Sequence, residues 1–457
     1  MSDAAAPVTL VIFGASGDLA HRLLLPGLGT LLKAEPDLRL TLIGASDLYW
    51  PQERWTELVS SVLPAGGCPT ERVHKQLGTT RYVRLDVTDP DQLRAFLFEL
   101  TGQIVLYFAL PPAVTMKACE ALARIDLPAG IRLAIEKPFG TDLASAHRFN
   151  TLLARLVGED QIFRVDHFLG KETVLNLLGL RFANRVLEPT WNAENIERVE
   201  IIDDEALALE GRAGYYDRAG ALKDMIQSHL LLVMAMFAME EPARLDAVEL
   251  RDLMVHTLRS THLWGDDPVA ASRRARYTAG TIQGRTIPAY VAETGVDPAR
   301  ETETLAEVTV EIRNSRWAGV PIRLRSGKAL GDGVRGITVV YRSVAHQPEG
   351  FRNLAACDVL RIGMSPETLE LVLATNAGGD RWDLERTRLA AELGDSPLRP
   401  YGQILSGIIQ GDPMLSVRGD VAEECWRILT PVVEAWSDGR VPLDEYHAGS
   451  SGPLSWR

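Results

Sequence analysis

Cysteine is scarce in this chain. Among 457 residues there are four, Cys68, Cys119, Cys357 and Cys425, with no CxxC and no paired spacing. That argues against a disulfide framework and against a structural zinc, and it suits the reducing cytoplasm. Positive charge is also short: 48 Lys and Arg face 61 Asp and Glu, a net charge of −13. Nucleic acid and anionic membrane surfaces are therefore not expected as partners, and any anionic substrate has to be held by a local basic pocket. Long apolar runs are missing too. None approaches the roughly 18 residues of a membrane span, and the longest, residues 230–239, reads as a buried helix. Residues 1–6 (Met-Ser-Asp-Ala-Ala-Ala) lack the basic start and apolar core of a signal peptide. Internal repeats and low-complexity segments are absent as well. With 46% hydrophobic and 24% charged residues the composition is that of a soluble globular protein, and the length predicts more than one domain.

The first third of the chain alternates strand and helix patterns. Val8–Phe13 is a continuous apolar run, as in a parallel strand buried on both faces. It meets a glycine turn, Gly14-Ala15-Ser16-Gly17-Asp18-Leu19-Ala20, and then a helical pattern. Strand, glycine turn and helix is the context in which a backbone approaches a pyrophosphate at a helix N-terminus. The spacing is GxxGxxA rather than GxGxxG, so the motif alone also suits a plain strand–turn–helix. Further strands are expected at residues 40–44, 82–86, 104–109 and 131–135, with helices at 91–100, 115–125 and 141–156. This predicts a doubly wound sheet with ligands at the carboxyl ends of its strands, where Pro111 and Lys137 fall. Beyond it, short strand patterns at 199–203, 306–312, 337–341 and 369–374 accompany helices at 173–182, 219–239 and 385–393. The expected fold is thus α/β. An N-terminal Rossmann-like doubly wound parallel sheet (residues 1–165) precedes an α+β domain (residues 166–457) with a large, mostly antiparallel sheet.

The densest chemistry is in Arg164-Val165-Asp166-His167-Phe168-Leu169-Gly170-Lys171. Lys171 and His167 suit a phosphate, while the Asp166 carboxylate is available to orient a second histidine. Taken alone, the octet also reads as a solvated turn. Downstream, one helical pattern carries Asp224 and His229. At about 100° per residue their side chains point roughly 140° apart, so His229 is expected to take its carboxylate from elsewhere. A histidine among leucines and methionines is equally a core residue.

Together these stretches resemble the glucose-6-phosphate dehydrogenase family. The resemblance continues through Glu136-Lys137-Pro138-Phe139-Gly140, Leu324-Arg325-Ser326-Gly327-Lys328-Ala329-Leu330 and Tyr446-His447-Ala448-Gly449-Ser450-Ser451-Gly452-Pro453. It implies an NAD(P)-dependent glucose-6-phosphate 1-dehydrogenase, the enzyme of the first step of the oxidative pentose phosphate pathway, with His229 as base and Asp166 as its partner. Lys137, His167, Lys171, Glu205, Asp224 and Lys328 would bind the sugar phosphate. Gly14, Ala15, Ser16, Gly17, Asp18 and Leu19, with Ser46, Asp47, Tyr107, Pro111 and Lys137, would bind NAD or NADP. No metal is implied, because a base removes the proton and the nicotinamide takes the hydride. A homodimer or homotetramer built on the wide sheet is the expected assembly.

The departures from the family pattern are local. Phe168 replaces a usual tyrosine, Gly333 a usual arginine or lysine (Arg335 lies nearby), and Ser365 a usual glutamine. Asp47 stands where NADP-dependent members carry arginine, which predicts NAD preference or dual use. The same chemistry on an amino- or non-phosphorylated hexose, or a catalytically silent nucleotide-binding paralogue, are the alternatives.

Overall fold

A computed structural model describes residues 7–211, 213–353, 357–376, 378–379, 382–394 and 396–456. The signal-peptide reading of residues 1–6, and Arg212 in the turn before the long helix, fall outside these. The chain forms two compact units. The first comprises residues 1–171, 242–252 and 396–423, and the second comprises 172–241, 253–395 and 424–457.

In the first unit, β1 (Val8–Phe13) is buried at all six positions. It pairs in parallel with β2 (Leu40–Ser46) on one side; β3 (Arg81–Arg84) continues that side. On the other side lie β4 (Gln103–Phe108), β5 (Arg132–Glu136) and β6 (Ile162–Val165), also parallel. The order β6-β5-β4-β1-β2-β3 is doubly wound and reverses between β1 and β4, the position at which such sheets bind ligands. The short strand Ser416–Val417 closes the β6 edge in antiparallel fashion. The helix Pro400–Gln410 adds Tyr401, Ile404, Leu405, Ile408 and Ile409 to the apolar core above β1.

The expected division at 165/166 falls within the first of these compact units. The first unit runs on through the octet to Lys171 and recruits two later stretches, because its sheet edge and one core face are completed by residues from beyond position 395.

The second unit is built on a ten-stranded sheet. Most of its pairings are antiparallel; Ile322–Gly327 beside Ile196–Asp204 and Leu443–His447 beside Ser272–Thr278 are parallel. A helical run from Ala213 to Ala238 packs on the strands Leu305–Ile312 and Ile322–Gly327. By length and composition this run is long and apolar enough to cross a membrane, but 83% of its apolar window is buried within the protein, so it is a core helix.

The helix expected at 385–393 is a strand, Leu384–Glu392, paired along its length with Glu367–Asn376. Its Glu-, Arg- and Ala-rich composition favours helix locally. At an exposed sheet edge, main-chain pairing overrides that preference.

Candidate active site

The glycine turn after β1 has the geometry a dinucleotide needs. Gly14 has φ of +77°, and a Cβ there would lie 2.2 Å from the Ala109 carbonyl oxygen, so only glycine fits. The Gly17 amide donates to the Gly14 carbonyl at 2.9 Å, and Ala20–Leu24, a π-helical turn, opens the helix behind it. Ala15 is buried, Leu19 is half-buried, and Asp18 is exposed beside Arg22 at 3.3 Å. A close backbone approach at the switch point of a doubly wound sheet, followed by helix amides, fits a pyrophosphate.

At the end of β2, Ser46 is buried and fully engaged. Its Oγ lies 3.1 Å from Ser16 Oγ and 2.8 Å from the Tyr82 hydroxyl, and it accepts the Leu48 amide at 3.1 Å. Ser46 thus ties the glycine turn to β2. Asp47 is exposed, and its carbonyl accepts from Arg84 Nε at 3.0 Å. Arg54 sits over the Trp50 ring, 4.1 Å from its centroid. Arg84 thus reaches the Asp47 backbone, and it had no signal in the local sequence: it arrives across the β2–β3 pairing.

The octet starts in β6 and turns at the carboxyl end of the sheet. Asp166 is completely buried and accepts the Phe168 amide at 3.0 Å. Successive amides of Leu169, Gly170 and Lys171 donate back to Asp166, His167 and Phe168, coiling the segment tightly. Gly170 is required there, since a Cβ would lie 2.6 Å from the Pro400 carbonyl oxygen. His167 stacks on Tyr401 with ring centroids 5.7 Å apart, and Lys171 Nζ lies 3.3 Å from the Phe168 ring centroid. The aromatic face at Phe168 thus holds the cation, where a tyrosine would add a hydroxyl.

Behind Asp166 is a buried network that sequence reasoning missed. Glu136, at the end of β5 beside Lys137, accepts the Tyr107 hydroxyl and is hydrogen-bonded by Tyr401 as well. Burial pushes the Glu136 carboxyl up to about 7, and Asp166 adds to the rise, while Tyr107, Lys137 and Tyr401 oppose it. Tyr401 itself is pushed up by burial and then by Glu136 and Asp166. Tyr107 was expected at the cofactor; it is fully buried and bound to this carboxyl. Pro111 is exposed and caps the helix Pro112–Leu122.

In the second unit, residues Leu222–Leu230 are wound as a π-helix. A π-helix, closed from i to i+5, has about 4.4 residues per turn, so residues five apart stand roughly 50° from one another. Asp224 and His229, five apart, therefore share a face of the segment. The expected divergence of about 140° rested on α-helical winding and is corrected. His229 is 1% exposed, and Asp224 is half-buried and accepts the Tyr215 hydroxyl at 3.2 Å. Glu205 and Lys328 lie at the ends of the paired strands Ile196–Asp204 and Ile322–Gly327, with Lys328 Nζ 2.6 Å from Glu205 Oε2. Arg335 takes the other oxygen at 3.2 Å and lies 3.6 Å from Asp203. Arg335, the cation near Gly333, is thus engaged by these two carboxylates.

A family model described as the NAD binding domain of glucose-6-phosphate dehydrogenase matches residues 11–176, and one described as its C-terminal domain matches 178–457. The chain belongs to the glucose-6-phosphate dehydrogenase family. Similar proteins include the glucose-6-phosphate 1-dehydrogenase of Treponema pallidum, 36% identical over 99% of this chain and 93% of its own. That of Gluconobacter oxydans is also 36% identical, over 98% and 94%. Among solved structures, the enzyme from Mycobacterium avium superposes with a TM-score of 0.86 at 32% identity, covering 99% of this chain and 96% of the other. A glucose-6-phosphate dehydrogenase described as in complex with its substrate glucose 6-phosphate superposes with a TM-score of 0.89 at 28% identity, over 100% and 97%.

As a member of the family this chain is an NAD(P)-dependent oxidoreductase with a nicotinamide dinucleotide cofactor. The similarity covers both units with the nucleotide turn, the octet and His229 in place, so a silent paralogue is not favoured.

Proposed function

We propose that the protein oxidises C1 of glucose 6-phosphate to 6-phosphoglucono-1,5-lactone. The bound nicotinamide supplies the acceptor for the C1 hydrogen, which leaves as hydride. His229 takes the proton of the C1 hydroxyl, and Asp166 offsets the charge of the imidazolium that forms. Lys171 and His167 hold the phosphate. Asp224 and Glu205 accept sugar hydroxyls, with Lys137 and Lys328 contributing cations to the same substrate. The observation that carries this reading is the octet. It folds Asp166, His167 and Lys171 into one tight turn at the carboxyl end of a parallel strand, in a chain similar end to end to a dehydrogenase described with this substrate bound.

The test is kcat/KM for glucose 6-phosphate and for free glucose, in wild type and in Lys171→Ala. Loss confined largely to the phosphorylated sugar supports the reading. Equal loss on both sugars would show that Lys171 does not read phosphate.

For the cofactor, the reading is NAD preference or dual use. A carboxylate at Asp47 can accept ribose hydroxyls, whereas about 4 Å from a 2′-phosphate it would repel by roughly 4 kcal/mol at an effective dielectric near 20. Solvent reduces that figure, yet about 1.4 kcal/mol still means tenfold selectivity. Asp47→Arg should shift kcat/KM toward NADP, and strong NADP selection by the wild type would refute the assignment. A homodimer or homotetramer in the cytoplasm completes the reading; light scattering that returned a monomer mass would remove that part of it.

A further inference from the structure

The second unit contains a cavity of about 440 Å³ that shares no residue with the candidate active site. Its walls are the start of the Ala213–Ala238 run, residues 299–303, and the last turns of the helix Gly419–Ser437. The size is that of a small-molecule site.

Four cations line it: Arg218, Lys223, Arg274 and Arg300. Two of them are committed. Arg300 lies 3.4 Å from Asp217 and 3.3 Å from Asp297, and Arg274 lies 3.5 Å from Glu301 while donating to the Val441 carbonyl at 3.0 Å. Arg218 and Lys223 make no side-chain hydrogen bond or ion pair among the described residues. In a chain where 61 carboxylates outnumber 48 Lys and Arg, two unpaired cations at one concavity run against the charge balance. Among the carboxylates lining the cavity, Glu303 attracts Lys223 only at longer range, without an ion-pair contact. Asp217 is occupied by the Tyr290 hydroxyl at 2.9 Å, the Asp297 amide at 3.0 Å and Arg300. Glu303 accepts the Leu222 amide at 3.0 Å, and burial pushes its carboxyl up to about 7, so near neutral pH it carries only part of a charge.

We propose that this cavity is a binding site for a small polyanion bearing phosphate or carboxylate groups, gripped by Arg218 and Lys223 against the indole wall of Trp436. Charged donors converging at a concavity attract such an anion beyond what the same charges achieve scattered on an open surface. The location gives the site a route to the chemistry. Leu222 and Lys223 begin the π-wound segment that carries Asp224 and His229, and Glu303 anchors that segment through its carboxylate and through its carbonyl, which accepts the Ala221 amide at 3.3 Å.

The test is calorimetric titration of the full-length protein with pyrophosphate and with citrate, in wild type, in Arg218→Gln/Lys223→Met, and in Lys171→Ala. Neither Arg218 nor Lys223 makes a side-chain hydrogen bond or ion-pair contact among the described residues, so the double variant should keep close to the wild-type Tm. Expected is a site that survives in Lys171→Ala and weakens roughly tenfold or more in the double variant. It should also weaken as salt rises from about 50 to about 300 mM. Tighter pyrophosphate than citrate assigns a phosphate ester as the ligand class, and the reverse assigns a polycarboxylate. The proposal is overturned if neither probe binds the wild type, if the double variant binds as the wild type does, or if Lys171→Ala abolishes all binding. The last result would place every bound anion at the substrate phosphate position and would leave the dehydrogenase reading intact.

Discussion

His229, the proposed base, is almost completely buried. At 1% exposure the imidazole depends on protein groups to stabilise its charged form, so its role rests on position and on carboxylate support. His229→Asn keeps the size and a hydrogen-bonding side chain but removes the base. It should lower kcat by roughly 10²–10⁴ with KM little changed, and steady-state kinetics at saturating cofactor would measure this. Near-normal turnover in that variant would remove His229 from the mechanism.

Glu136 allows a second expectation at this scale. Its folded-state carboxyl is raised to about 7 by burial, whereas an unfolded glutamate titrates near its usual 4.5. Between those values the unfolded chain binds fewer protons than the folded one, so stability falls as pH rises through that window and levels off above about 7. Glu136→Gln keeps an acceptor for Tyr107 and cannot ionise. The Tm difference between variant and wild type should therefore move in the variant's favour from pH 5 to pH 8, roughly the window set by the two values. A difference that stays constant across that range would mean Glu136 does not titrate there. Nothing near Glu136 in sequence marks this role. It was legible only as the strand end before Lys137, because Tyr401 reaches it from a helix more than 260 positions later.

Among the elements, the Ala213–Ala238 run concentrates what sequence periodicity could and could not tell. Its apolar character and its two chemical residues were legible from the pattern. The π-winding of Leu222–Leu230 was not, since the same letters satisfy either winding and only the packing selects one. The kink that precedes it is fixed by Gly220, at φ +67° and ψ 175°, a region open essentially to glycine alone. A Cβ at that position would also fall 2.2 Å from Glu303 Oε1. Gly220→Ala should thus cost about 1–3 kcal/mol from the backbone alone, and more from the clash. It should also raise KM by disturbing the segment that bears Asp224. Denaturant unfolding and kinetics on the same preparation would measure both, and an unchanged unfolding midpoint would contradict the strain. The misread strand Leu384–Glu392 teaches the converse: an exposed edge strand held by its ladder leaves little apolar alternation to read.

For the whole molecule, the sequence conveyed the two sheets and their order along the chain, but not that the first unit is sewn from three stretches. Local patterns run along the chain, whereas the closure of β6 by Ser416–Val417 and the covering of β1 by the helix Pro400–Gln410 are contacts across more than 230 positions. This has a measurable consequence. A fragment of residues 1–171 keeps all six parallel strands and, by sequence reasoning, would stand as the nucleotide domain. It lacks Tyr401, Ile404, Leu405, Ile408 and Ile409, five members of its core cluster. At roughly 1.5–3 kcal/mol for each buried side chain, their loss removes about 10 kcal/mol, comparable with the 5–15 kcal/mol by which a typical domain is stable. It also bares the β6 edge to pairing with other chains. The isolated fragment should therefore give no cooperative thermal transition and should aggregate, while joining residues 396–423 to it through a flexible linker should restore a sharp melt followed by circular dichroism. A cooperative melt from residues 1–171 alone would show that the parallel sheet holds its own core and that the later stretches merely cover it.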